Sequence, residues 1–166
     1  MSTYRTLILL RHAKSEYPPE TADHERPLAP RGIREAGLAG DWLRAHAPSI
    51  DQVLCSTANR TRQTYARTAL TAPVRYVDDL YDAMPGNVIE AINTVAADID
   101  TLLVIGHEPA MSSVALGLAG HGTDAAVAAQ ISQKYPTSGI AVLHVPCGWA
   151  DVQLGSAALV DFCVPR

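Results

Sequence analysis

Two apolar runs in this chain stop at a basic or small residue followed by a histidine. Leu7-Ile8-Leu9-Leu10 meets Arg11-His12, and Leu102-Leu103-Val104-Ile105 meets Gly106-His107. A third run, Val53-Leu54-Cys55, leads through Ser56 to Arg60. Runs this short read as buried strands, and in open α/β sheets ligands bind at the carboxyl ends of the strands. If the three strands are parallel, Arg11, His12, Arg60 and His107 surround one pocket. Their types suit a tetrahedral anion. Guanidinium forks bind phosphoryl oxygens in pairs, and a neutral imidazole can attack phosphorus. A protonated second histidine would add charge where the equatorial oxygens become more negative. Amides at the start of the helix after Ser56 are further donors. His12 is the candidate nucleophile of a phosphate-handling site.

The elements that must position these groups follow from periodicity and punctuation. Tyr17 to Pro30 reads as a loop, and Pro30 suits the first turn of a helix carrying Ile33, Ala36, Gly40 and Leu43 at helical spacing. Ala47-Pro48 ends it. Ser56 and Thr57 are expected caps for a helix running to about Leu70. The pattern predicts a strand over 74–80 and a helix from about Val88 to Asp98. A helix over 110–118 and a shorter one over 125–133, capped by Thr123 or Asp124, come next. Pro136 to Gly139 turns into a strand over 140–145, and 150–154 with 157–164 predict a terminal hairpin around Gly155-Ser156. Strands alternating with helices predict one α/β domain over 1–166. Its expected form is a three-layer α/β/α sandwich with a mostly parallel central sheet and an antiparallel edge.

Composition narrows the function classes. With 166 residues, 48% apolar and 18% charged, the chain has a globular composition and length enough for a sizeable core. No apolar segment approaches the roughly 20 residues of a membrane helix. No signal peptide is read, so the expected location is cytoplasmic. A net charge of −4 gives no reason to expect a nucleic-acid partner. Cys55, Cys147 and Cys163 show neither disulfide nor zinc spacing, so no metal site is expected and each reads as a small hydrophobe. Of the 13 basic residues, 11 are arginines, but only their individual positions carry meaning.

At the strand ends the sequence resembles a known family. Arg11-His12-Ala13 is similar to the Arg-His-Gly signature of the histidine phosphatase (phosphoglycerate mutase-like) superfamily. Ser56-Thr57-Ala58-Asn59-Arg60-Thr61-Arg62-Gln63-Thr64 resembles that family's Ser-x-x-x-Arg-Ala-x-Gln-Thr segment, a register that selects Arg60 over Arg62. Gly106-His107 resembles the Gly-His of the second catalytic histidine. Within the superfamily the chain looks most like the small SixA-type phosphohistidine phosphatases. Arg11 to Ser15, Arg26-Pro27-Leu28 with Arg31-Gly32, Lys134 to Thr137, and the tail from Trp149 to Pro165 carry that likeness.

The resemblance implies a hydrolase in which His12 accepts the phosphoryl group and water releases it. Arg11, Arg60 and His107 would clamp the oxygens, with Ser15 as a further donor and no cofactor or metal. The other ring nitrogen of His12 should donate to an acceptor such as a backbone carbonyl. Ala13 and Ala29 depart from the family's usual glycine and capping threonine. Where larger relatives carry a glutamate general acid, this chain offers Asp82, with Glu90 and Glu108 as weaker alternatives. Poor acid equipment favours P–N substrates, because phosphohistidine can leave as neutral imidazole whereas an alcohol needs a proton, an effect worth roughly 10²–10⁴-fold. The expected partner is a phosphorylated protein bearing phosphohistidine, with a small phosphorylated metabolite as the alternative substrate of a phosphatase or mutase. A phosphate-binding module without turnover is the non-enzymatic alternative. His24, His46, His121 and His144 read as surface or satisfied core residues, and Trp42 and Trp149 as packing. Arg62 and Arg67 read as a solvated helix face, and Arg26 as a loop residue that meets substrate or pairs with Asp23 or Glu25.

Overall fold

The computed structural model describes residues 3–166. Six strands form one sheet: β1 (Arg5–Arg11), β2 (Gln52–Ser56), β3 (Val74–Val77), β4 (Thr101–Gly106), β5 (Ile140–Val145) and β6 (Ala158–Cys163), in the order β3-β2-β4-β1-β5-β6. β1 to β4 are mutually parallel through the pairs β1/β4, β4/β2 and β2/β3. β5 runs against both β1 and β6, which gives the expected antiparallel edge.

Side-chain alternation along β1 and β4 builds a core on each face of the sheet. Leu7, Leu9, Leu102 and Val104 pack with α3 (Pro85–Asn93), α4 (Ala110–Leu118) and α5 (Ala125–Gln133). Ile8, Leu10, Leu103 and Ile105 pack with Ala39 and Leu43 of α1 (Pro30–His46) and Tyr65 of α2 (Asn59–Thr68). The result is the three-layer sandwich. Pro30 and Pro85 occupy first-turn positions, and the Asp124 carboxylate accepts from the amides of Ala126 and Val127 at the start of α5. Ala29, at the N-cap of α1, supplies no side-chain cap.

Several sequence expectations are corrected. β3 ends at Val77, and Asp78–Leu80 winds into a 3₁₀ turn. β3 is an edge strand with neighbours on one side only, and consecutive aspartates favour turns over a ladder. Residues 150–154 are not a strand: Trp149–Asp151 is a 3₁₀ turn, with the Trp149 ring buried and its indole N–H donating to the Ile99 carbonyl. β6 therefore pairs with β5 instead of with a terminal hairpin partner. α2 begins at Asn59 with Ala58 as its N-cap, because Ser56 still belongs to β2. α3 stops at Asn93, short of Asp98. Ile33 faces solvent, and the inward face of α1 is Gly32, Ala36, Ala39, Gly40 and Leu43.

Candidate active site

Parallel pairing of β1 with β4 puts Arg11 opposite Gly106, and the His12 amide extends the ladder by donating to the Gly106 carbonyl at 3.0 Å. The two histidines that follow are therefore level with each other. Their ring centroids lie 5.3 Å apart, and both residues are buried. Arg60 comes from the first turn of α2, which follows β2 on the other side of β4, and is 6% exposed. Three non-adjacent stretches thus meet at one edge of the sheet.

Each side chain is held by identifiable partners. His12 Nδ1 lies 2.7 Å from the Ala13 carbonyl oxygen, which can only accept, so Nδ1 carries the proton and Nε2 keeps its lone pair. Burial is the main force on this imidazole, and His107, Arg60 and Arg11 add to it, pushing its pKa down to about 3. The Ala13 amide donates to Thr64 Oγ1 at 2.9 Å, and that hydroxyl donates to the Arg60 carbonyl. Thr64 therefore ties the His12 loop to the helix bearing Arg60. Arg11 is fixed by an Nη1 bond of 2.8 Å to the Tyr135 carbonyl, and the Tyr135 hydroxyl donates to the Leu9 carbonyl.

His107 Nε2 is 2.8 Å from Ser56 Oγ. Burial, and then the Arg60 guanidinium, push its pKa down to about 4, against an upward pull from Asp23. The free site thus holds His107 neutral at pH 7. A cation buried among guanidinium groups is disfavoured until an anion arrives. The ring Nδ1 of His107 and the Nε atoms of Arg11 and Arg60 are buried without hydrogen-bond partners. Buried polar nitrogens are almost always paired, and a bound oxyanion is the natural complement of such a set.

Ser15 is buried, and its hydroxyl oxygen accepts from Arg26 Nη1 at 2.9 Å, leaving its proton free to donate. Arg26 does pair with Asp23, Nε to Oδ1 at 3.0 Å, while its guanidinium stacks on Tyr17. Asp82 is exposed, adopts a left-handed backbone with φ of 53°, and forms no hydrogen bond with the residues just described. Its neighbour Tyr81 reaches in instead. The Tyr81 hydroxyl donates to Asp23 Oδ2, and its ring lies edge-on to His107 with centroids 5.7 Å apart. Glu108 is occupied at the start of α4, accepting from the Ser112 amide and hydroxyl. Glu90 lies on the exposed face of α3.

Sequence reasoning overlooked Asp23, Tyr81, His24, Ser56 and Thr64 as parts of this site. His24, read as a bystander, stacks edge-on against Tyr81 at 4.8 Å and sits 3.0 Å from the Thr57 hydroxyl. The Arg26–Asp23 pairing was itself among the sequence readings, but nothing in the spacing points to Arg60 as the second partner of Asp23. Arg62 lies where the sequence places it, exposed and stacked on Tyr76.

The histidine phosphatase superfamily (branch 1) matches residues 7–101, a span that holds Arg11, His12 and Arg60 and stops before His107. A curated relative, an uncharacterized protein of Mycobacterium tuberculosis (strain H37Rv), is 65% identical over 158 residues, 95% of this chain and all of that protein. Among solved structures, a protein provisionally named phosphohistidine phosphatase SixA from Nakamurella multipartitia superposes with a TM-score of 0.90 at 37% identity, covering 98% of this chain and 96% of that one. A second, provisionally given the same name, from Agrobacterium tumefaciens, gives a TM-score of 0.80 at 28% identity, covering 97% and 99%.

Proposed function

The chain belongs to the histidine phosphatase superfamily and is a phosphatase-type hydrolase, and on that premise we propose that it dephosphorylates phosphohistidine with His12 as nucleophile. The observation that carries the proposal is the His12 ring: Nδ1–H is committed to the Ala13 carbonyl, and Nε2 is a neutral lone pair beside two guanidinium groups. In the first step Nε2 attacks phosphorus, the N–P bond to His12 forms, and the bond to the substrate ring breaks with its electron pair going to that ring. In the second, water attacks the phosphorus, the pair returns to Nε2, and the phosphate leaves with both protons of the water as dihydrogenphosphate, which passes one to bulk solvent.

Arg11 and Arg60 carry the charge neutralisation and orient the phosphoryl oxygens. The incoming dianion favours protonation of His107, which then adds a third donor. Ser15 has a free hydroxyl proton for a further hydrogen bond. Asp82 is the candidate proton donor for an alcohol leaving group, and its exposed position makes it a weak one. Asp82→Asn should therefore lower turnover of phosphoserine peptide more than turnover of phosphohistidine peptide.

A substrate panel tests the proposal: phosphohistidine protein, phosphoserine peptide, sugar phosphates and nucleotides, each assayed with and without EDTA. Preference for phosphohistidine by at least tenfold, unchanged by chelator, is expected. Equal rates on phosphoserine, or preference for a small phosphorylated metabolite, would overturn the substrate assignment. Strong loss with EDTA would overturn the mechanism.

A further inference from the structure

We propose that Asp23 reads the leaving group: its carboxylate accepts a hydrogen bond from the distal ring N–H of the phosphohistidine being cleaved, and so selects a P–N bond over a P–O ester. The inference rests on the phosphohistidine reading above and names the residue that enforces it.

Asp23 opens the 3₁₀ turn Asp23–Glu25 and touches the phosphate cage at two points. Its carbonyl accepts from Arg60 Nη1 at 2.8 Å, and its Oδ2 lies 3.2 Å from Arg60 Nη2. Oδ1 accepts from Arg26, and the Tyr81 hydroxyl donates to Oδ2. A carboxylate offers about four lone-pair directions, so these three partners leave one unused. The side chain is 54% exposed, so the carboxylate is open to a ring approaching from outside. Beside it stands an aromatic wall. Tyr81 lies edge-on to His107, and His24 lies edge-on to Tyr81. A flat imidazole ring leaving from a phosphoryl group held by Arg60 would depart along that wall, with the carboxylate at its rim.

The chemistry distinguishes leaving groups. When His12 Nε2 takes the phosphoryl group, the substrate ring receives the electron pair of the broken P–N bond. If its distal nitrogen already carries a proton, it departs as neutral imidazole and no further proton is needed. A neighbouring carboxylate favours that protonated ring in the ground state and accepts its N–H throughout. An alcohol, by contrast, needs a proton donated to the departing oxygen, and Asp23 has none to give. The Tyr81 hydrogen bond first, then the two guanidinium groups, hold it down to about 2. One ionised carboxylate thus helps the P–N substrate and offers nothing to the ester.

The test compares kcat/KM of the wild type and Asp23→Asn on a phosphohistidine peptide and on p-nitrophenyl phosphate, whose leaving group needs no proton. The ratio of the two should fall at least about tenfold in the variant, the loss expected for a charged hydrogen bond. Asp23→Glu, which keeps the charge, should recover part of that ratio. Should Asp23→Asn melt below the assay temperature, Asp23→Ser carries the same expectation. Equal losses on both substrates in a folded variant would make Asp23 a positioning residue for Arg60 and overturn the inference, as would no loss on either. A wild type that hydrolyses p-nitrophenyl phosphate but not phosphohistidine would overturn the substrate reading, and this inference with it.

Discussion

At the scale of residues, the proposed chemistry depends on the protonation of two imidazoles. His12 and His107 are pushed down to about 3 and about 4, by burial first and by the nearby arginines. Ring NMR should accordingly show neither titrating between pH 8 and pH 5, and a midpoint near 6.5 for either would contradict the geometry. The same shifts link stability to pH. The unfolded chain takes up protons as pH falls through about 6.5, while the folded site refuses them until about 4 and 3. Stability contributed by these neutral histidines is therefore full above about pH 6.5 and is lost as pH falls towards 4. The melting temperature should drop over that window, and less steeply in His12→Asn; a parallel drop in the variant would contradict the assignment. Arg11, His12 and His107 were legible in the sequence because a continuous apolar run ends at each pair, which fixes their address on the sheet. Asp23 and Tyr81 were not, since they sit in 3₁₀ turns and connections where no periodicity reveals direction. Asp82 and Tyr81 are adjacent in sequence, but only the backbone turn decides which of them faces the pocket.

At the scale of elements, α1 and α2 meet so closely that one contact has no room for a methyl group. A Cβ at Gly40 would stand 2.1 Å from the Thr68 carbonyl oxygen and 2.8 Å from its Cα. Alanine gains up to about 1 kcal/mol of helix propensity over glycine, but separating two backbones costs about 1–3 kcal/mol or more. Gly40→Ala should thus lower the denaturant midpoint. Gly37→Ala is the counterpart, because its Cβ would find only the Arg67 carbonyl, at 3.8 Å. There propensity wins, and a gain of about 0.5–1 kcal/mol is expected. Identical responses of the two variants would contradict this packing. Gly32 has the same close approach to the Lys14 carbonyl, on the loop that follows His12, so α1 also seats that loop. The central strands were readable because burial on both faces makes them uniformly apolar. β3 and β6 were misjudged in length or partner for the opposite reason: they are the outer strands of the sheet and carry exposed, polar positions.

At the scale of the whole molecule, the strand order places β4 between β1 and β2, so one sheet edge receives His12, His107 and Arg60 from segments far apart in the chain. Parallel pairing does the assembly, and the pocket is a consequence of topology more than of any local motif. Among the described residues no helix is long and apolar enough to cross a membrane. A phosphoryl group that passes through His12, as proposed, must be found there during turnover. The most direct measurement is rapid quench of the enzyme with phosphorus-labelled substrate, followed by localisation of the label. An acid-labile phosphoryl group on His12 is expected, forming and decaying within a turnover and absent, together with turnover, in His12→Ala. Label on another residue, or full turnover in His12→Ala, would contradict it.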